Sequence, residues 1–414
     1  MSKTHISTED HYEPELYEIR IKGYLDDRWA DWFEGLTFTH ESDGTTILHG
    51  PLTYQAALHG VLNQIRDLGL PIISVQCISP DRKRRKKMKA IVRHKYGSPD
   101  VLELEEVEKP TPKDDEVLIK VHAASANAAD WRFLRADPFL VRLDSGLLKP
   151  KNMILGLDVA GRVEAIGVNV RQFQPSNEVF GDILECRGGA FAEYVSVPER
   201  LLVLKPANIT FEEAAAVPLA AITALFGLRD QGQIQPGQKV LINGASGGVG
   251  TFAVQIAKSL GAEVTAVCST RNVDLVRSLG ADHVIDYTQE DFTQNGQHYD
   301  LILVVNGYHP ISAYKRALRP EGIYVMVGGS MAALFQAMLL GPWMSRSGNQ
   351  QMGILEAVPN KKDLLEFLKG LLEAGKIVPV IDRRYPLSEV PEAIRYLEKG
   401  HAQGKVVINV SGDG

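Results

Sequence analysis

Between residues 210 and 330 the chain alternates nearly unbroken apolar runs with longer amphipathic stretches. The runs at 240–243, 263–268, 301–305 and 324–327 are of the kind needed by a parallel strand buried on both faces. Helical patterns lie between them, which predicts an α/β fold with a doubly wound sheet. Residues 88–209 read differently. Short β-like runs such as 89–92, 117–123 and 159–166 are broken by Gly and Pro, as in an irregular strand-rich domain. From residue 364 two further helices and a closing strand at 405–410 follow.

Residues 12–80 carry a third pattern. Positions 17–22 alternate like a strand, and 26–34 reads as a helix with Trp29, Trp32 and Phe33 on one side. Segments 36–39 and 45–48 flank Asp43–Gly44, a hairpin turn signal. Residues 53–68 form an amphipathic helix stopped by Gly69 and Pro71, and 72–78 is a final strand. The order β-α-β-β-α-β predicts a small ferredoxin-like α+β domain. That scaffold says little about function.

Composition narrows the class. The chain has 414 residues, 44% hydrophobic and 23% charged, a soluble globular profile spread over several domains. A net charge of −6 gives no general pull toward nucleic acid. The basic run at 81–87 is the exception. It reads either as a solvated linker or as a nucleic-acid patch or targeting signal. The absence of interleaved aromatics favours the linker. Cys77, Cys186 and Cys268 are too few and too scattered for a disulfide framework or a four-cysteine zinc lobe. A reducing, cytoplasmic setting fits them. The N-terminus shows no secretory pattern, and no run reaches transmembrane length, so no integral membrane association is expected. The most apolar stretch, 331–344, is interrupted by Gly341 and Pro342.

The strongest chemical signal spans 239–257. A hydrophobic strand enters a glycine-rich turn and an amphipathic helix leaves it. Gly247 would let the backbone approach a pyrophosphate, and Gly250 would let the helix pack tightly on the strand. Ala245 replaces the first fingerprint glycine. The second strand then ends in Cys268-Ser269-Thr270-Arg271-Asn272, with no carboxylate to hold a ribose 2′-hydroxyl. Ser269 can donate to a 2′-phosphate and Arg271 can pair with it, which favours NADPH over NADH. A solvated helix-start arginine is the alternative reading of Arg271.

Several motifs in order carry a resemblance. They are Gly-Leu-Asp-Val-Ala-Gly-Arg-Val-Glu-Ala-Ile-Gly at 156–167, Val-Phe-Gly at 179–181, Gly-Ala-Phe-Ala-Glu-Tyr at 189–194, residues 218–224, the glycine loop, and Gly-His-Ala-Gln-Gly-Lys-Val-Val at 400–407. From residue 88 to about 410 the chain resembles the medium-chain dehydrogenase/reductases, in the zinc-free quinone oxidoreductase-like branch that includes reticulon-interacting and chloroplast-envelope proteins.

The resemblance implies a GroES-like catalytic domain at 88–209, a Rossmann NADPH-binding domain at 210–341, and a return to the catalytic domain at 342–414. The accessory domain at 1–80 and the linker at 81–87 lie outside it. It places Asn127 and Thr223 beside the nicotinamide, although strand-end capping and packing explain them equally well. Ser246, Gly247, Gly248, Val249 and Gly250 fall at the pyrophosphate turn, and Ser269, Arg271 and Tyr287 at the 2′-phosphate end. Asn306, Gly328 and Gly329 follow strand carboxyl ends, and Lys405 reaches the cofactor from the last segment. Asp130 is a candidate proton-relay residue or a structural carboxylate. The cysteine-ligand region of zinc relatives corresponds to 125–131, and their His-Glu pair to Leu157–Asp158, so no metal is expected.

The implied activity is hydride transfer from NADPH to a quinone, enone or other small carbonyl compound, in a homodimer. The alternative is an NADPH-binding scaffold with little turnover. Residues 331–352 are expected to lid the cleft.

Overall fold

The computed structural model describes residues 15–33, 35–52, 55–77, 87–139, 141–346 and 349–411. The chain divides into two compact units, the first ending at Lys87 and the second starting at Met88. Most of the basic run lies outside the described residues.

The first unit holds β1 (Glu15–Lys22), β2 (Thr37–His40), β3 (Thr45–Leu52), the helix Gln55–Asp67 and β4 (Ile72–Cys77). The strands pair antiparallel in the order β2-β3-β1-β4, as the ferredoxin-like expectation requires. Gly44 turns the hairpin at φ 84°. The first expected α-helix is instead a 3₁₀ segment, Asp27–Trp32, capped by the Asp26 side chain. A 3₁₀ turn superposes every third residue, so Trp29 and Trp32 meet with ring centroids 5.4 Å apart. Phe33 then turns inward to the core, while Trp32 stays half exposed. The three aromatics therefore do not share one face.

In the second unit, β5 (Lys87–Arg93) pairs with β6 (Leu102–Glu108). The larger catalytic sheet contains β7 (Glu116–Ala126), β8 (Asp158–Ile166), β9 (Glu178–Asp182), β10 (Tyr194–Pro198) and β11 (Leu202–Leu204). The Rossmann sheet follows: β12 (Lys239–Asn243), β13 (Glu263–Cys268), β14 (His283–Asp286), β15 (Tyr299–Val304), β16 (Leu318–Met326) and β17 (Gln351–Ile354). These six are all parallel, in the order β14-β13-β12-β15-β16-β17. The strand order reverses between β12 and β15, and a crevice opens at their carboxyl ends. The chain returns with β18 (Ile381–Pro386) and β19 (Lys405–Asn409), which complete the catalytic order β11-β9-β8-β7-β19-β18.

Two expectations need correction. The nucleotide-binding fold does not stop at residue 341, because β17 extends its sheet. The helix Lys361–Glu373 also buries Leu364, Leu365, Leu368 and Leu372 in the core built around β12 and β13. The segment 331–352, expected as a lid, is built onto the nucleotide sheet. It forms the helix Met331–Arg346 and β17, and Ala337, Met344 and Met352 pack with Tyr324 and Met326 of β16. None of its described residues lines either cavity of the cleft.

Candidate active site and cofactor cleft

The glycine turn sits where the sequence puts it. β12 leads into Gly244 at φ 90°, and Gly247 caps the helix Gly248–Ser259. A Cβ on Gly250 would lie 2.1 Å from the Gly244 carbonyl oxygen, so only glycine lets the helix pass so close to the turn. At Gly247 the nearest atom to an added Cβ is 3.8 Å away. That side of the turn is open to the cavity. These residues form the cradle a pyrophosphate needs, at a helix N-terminus.

A cavity of about 470 Å³ leads outward from the turn, lined by Ser246, Ser269, Arg271, Tyr287, Asn306 and His401 among others. The buried Asn272 organises it. Its amide nitrogen donates to Ser246 Oγ at 2.8 Å and Ser269 Oγ at 3.2 Å, while Gln403 Nε2 donates to its amide oxygen at 2.7 Å. Both serine oxygens act as acceptors there, which leaves their protons for a ligand. Arg271 is exposed and donates from Nη2 to the His401 carbonyl at 2.9 Å. Asp286 gives its carboxylate to Thr270 and Thr288, and the Thr270 hydrogen bond leads in holding it below the usual carboxylate range. Burial pushes the Cys268 thiol up to about 11, so this wall offers no thiolate.

A second cavity, about 420 Å³, lies on the other side of the turn. Asn127, Thr223, Gly248, Val249, Gly328 and Lys405 are among its lining. Strand register builds its floor. Ser125 of β7 sits directly opposite Asp158 of β8 on one side and Val407 of β19 on the other. Val406 pairs with Ala126, so the next residues out, Asn127 and Lys405, meet at the strand ends. Lys405 Nζ donates to Asn127 Oδ1 at 2.6 Å and lies 3.1 Å from Asp158 Oδ2. Asp158 also accepts from Ser125 Oγ at 2.7 Å, Asn127 Nδ2 at 2.9 Å and the Leu219 N–H at 2.8 Å. Asp158 is 0% and Lys405 3% exposed, so this is a buried ion pair embedded in a hydrogen-bond network.

Asp130 is not part of this floor. Its two oxygens accept the backbone N–H groups of Asn127 at 2.8 Å and Gly156 at 3.0 Å. Burial pushes its carboxyl up to about 7, against the pull of those two N–H groups. It fixes the turn that carries Asn127 and lines neither cavity. Gly250 lies behind the turn, and Gly329 bridges to Gly307 away from both cavities. The sequence reading did not single out Ser125, Asp158, Asn272, Gln403 or His401 as site residues. Gln403, His401 and Lys405 share one short segment, the motif at 400–407. The partners of Asp158 depend on cross-strand register that no local pattern reveals.

The fold and the cleft define a two-domain nucleotide-dependent oxidoreductase. Family models agree: the alcohol dehydrogenase GroES-like domain matches residues 113–207 and the zinc-binding dehydrogenase model matches 279–408. A domain family of unknown function matches 16–76. The chain belongs to the medium-chain dehydrogenase/reductase family, in its quinone oxidoreductase-like branch. It is 38% identical to the 2-methylene-furan-3-one reductase of Solanum lycopersicum, over 78% of this chain and 79% of the relative. It is 36% identical to an NADPH-dependent alkenal/one oxidoreductase of Arabidopsis thaliana, over 80% of this chain and 82% of the relative. Among solved structures, the quinone oxidoreductase of Coxiella burnetii superposes with a TM-score of 0.70 at 31% identity, covering 79% of this chain and all of that one (100%).

Proposed function

We propose that this protein uses NADPH to reduce a quinone, enone or other small unsaturated carbonyl compound, without zinc. The carrying observation is the floor of the inner cavity. The resemblance sets the His-Glu pair of zinc-dependent relatives against Leu157–Asp158, and here the oxygens of Asp158 are taken by Lys405, Asn127, Ser125 and the Leu219 N–H. Among the described residues, no cluster of three or more His, Cys, Asp and Glu is placed to hold a metal ion. The donors that would meet a substrate are therefore protein N–H and O–H groups.

Bound NADPH would supply a hydride at the nicotinamide. Conjugate reduction suits a site without a Lewis acid, because the substrate carbonyl spreads the incoming charge into an enolate. Both N–H groups of the Asn127 amide are directed to Ser125 O and Asp158. Lys405 has three N–H donors and directs two at Asn127 and Asp158, leaving one for the cavity. Thr223, which also lines this cavity, carries a hydroxyl. These two would stabilise the charge growing on a carbonyl oxygen. At the far end, Ser269 and Arg271 would take the 2′-phosphate, and the name of the Arabidopsis relative supports that choice. The reading keeps a homodimer in a reducing, cytoplasmic compartment.

The test is an NADPH-oxidation screen over quinones, enones and aldehydes, run with NADH alongside and with a strong chelator. We expect turnover of an enone or quinone that favours NADPH and survives chelation. Tight NADPH binding without turnover would instead support a scaffold. Chelator-sensitive activity restored by zinc would overturn the zinc-free mechanism.

A further inference from the structure

Arg132 is left out of every hydrogen bond and ion pair that assembles the cleft. It sits on the helix Ala128–Arg135, whose N-cap is Asn127. Ala128, Ala129 and Arg132 all line the inner cavity. Arg132 follows Ala129 by three positions and Ala128 by four, which puts it on the same helix face as each of them. Arg132 therefore lines the same cavity as Lys405, from five positions beyond Asn127, the residue that Lys405 touches.

The other charges around it are already matched. Lys405 is neutralised by Asp158. Arg135, the next cation on the helix, is held by Glu398 at 2.9 Å. Among the described residues Arg132 has no carboxylate partner, and its guanidinium meets only the Trp131 ring, with Cζ 5.5 Å from the centroid. The remaining wall is largely apolar, with Leu219, Leu355 and Leu397 prominent. A half-buried, unmatched guanidinium facing an apolar cavity calls for an anion from the ligand.

We propose that Arg132 is a specificity residue that binds a carboxylate on the substrate, so that the preferred substrates are unsaturated carbonyl compounds bearing an acid group several bonds from the reducible carbon. This rests on the reductase reading above. Arg132 offers the planar fork that carboxylates accept in pairs, and Lys405 remains with the carbonyl oxygen.

The experiment compares 6-oxohept-4-enoate, whose carboxylate lies three bonds from the reducible carbon, with its methyl ester, which differs in charge but little in shape. The wild-type protein is expected to show a higher kcat/KM for the acid. In Arg132→Leu, the acid-to-ester ratio should fall about 10- to 100-fold, the range of one charge-assisted hydrogen bond, mainly through KM for the acid. Arg132→Lys should restore part of it. NADPH affinity, read by nucleotide fluorescence, reports both folding and any role in cofactor binding. An unchanged ratio in Arg132→Leu overturns the proposal. So does a parallel loss for acid and ester with weakened NADPH binding, which would make Arg132 a cofactor anchor. Wild-type turnover of the ester but not the acid overturns the anion preference alone. Turnover of neither, nor of any enone or quinone, overturns the reductase reading and this inference with it.

Discussion

Lys405 and Asn127 lie 278 positions apart in the chain, yet the Lys405 ammonium is 2.6 Å from the Asn127 side-chain oxygen. Asp158 holds them both. Removing one member of a buried pair leaves the other charge unmatched, at a cost of about 3–5 kcal/mol. Asp158→Ala should approach that loss, since Lys405 would keep only a neutral partner. Lys405→Met should lose less, because Asp158 keeps three donors. Urea unfolding of the singles and the double should reveal a coupling between the sites. Equal and additive losses would contradict the network.

Arg271→Ala should weaken NADPH binding by about 1.5–3 kcal/mol, the worth of a charged hydrogen bond. NADH binding should barely change. Fluorescence titration with both nucleotides measures the difference, and equal losses would remove Arg271 from the 2′-phosphate site.

The two glycines of the turn should fail differently. Gly250→Ala forces a methyl group into the Gly244 carbonyl oxygen, 2.1 Å away, and should destabilise the protein by about 3 kcal/mol or more. Gly247→Ala meets nothing closer than 3.8 Å. It should melt near the wild-type temperature and lose nucleotide affinity. Thermal melts paired with NADPH titration separate the two effects.

Asp130 predicts a pH signature. Its folded carboxyl titrates at about 7, above the value of about 3.9 for an unfolded aspartate. The folded state therefore holds the proton more tightly. This contribution to stability is greatest below pH ~4, falls as pH rises toward 7, and is level above that. The span is on the order of 4 kcal/mol. Asp130→Asn should flatten that slope in unfolding experiments between pH 5 and 8. Matching slopes in the two proteins would mean that Asp130 stays ionised throughout.

A protein starting at Met88 should fold, bind NADPH and keep most of its turnover on small substrates. The break between units falls at Lys87 and Met88, and the residues lining both cavities all follow position 125. Kinetics and light scattering on the shortened chain test this. Aggregation or lost nucleotide binding would show that the first unit supports the second.

The nucleotide half was legible because its signals are local. The apolar run at 263–268 is β13 itself, and the turn from Gly244 to Gly250 carries its own steric logic. The edge strands β14 and β17 were missed, being only four residues each and half covered, so they lack the continuous apolar run of the central strands. The catalytic floor was legible only in part. Asn127, Thr223 and Lys405 came from the resemblance, whereas Asp158 became their organiser only once the registers of β7, β8 and β19 were known. Asp130 misled for a related reason. A carboxylate beside a site residue suggests proton transfer, but its partners here are two backbone amides, which no side-chain motif announces.

β19 is the last strand of the described chain, and Lys405 is its first residue. Loop-closure entropy rises with the length of chain to be closed, so the Lys405 contact is among the costliest to form. The nucleotide sheet has all its strands by Ile354, well before β19 emerges during synthesis. A newly made chain can therefore hold a finished nucleotide fold while the cavity floor is still open. On the proposed function, reduction would wait for the final strand, and a chain clipped just before it is expected to bind nucleotide yet be inert. The order in which the strands are made thus separates possession of the cofactor from competence to use it.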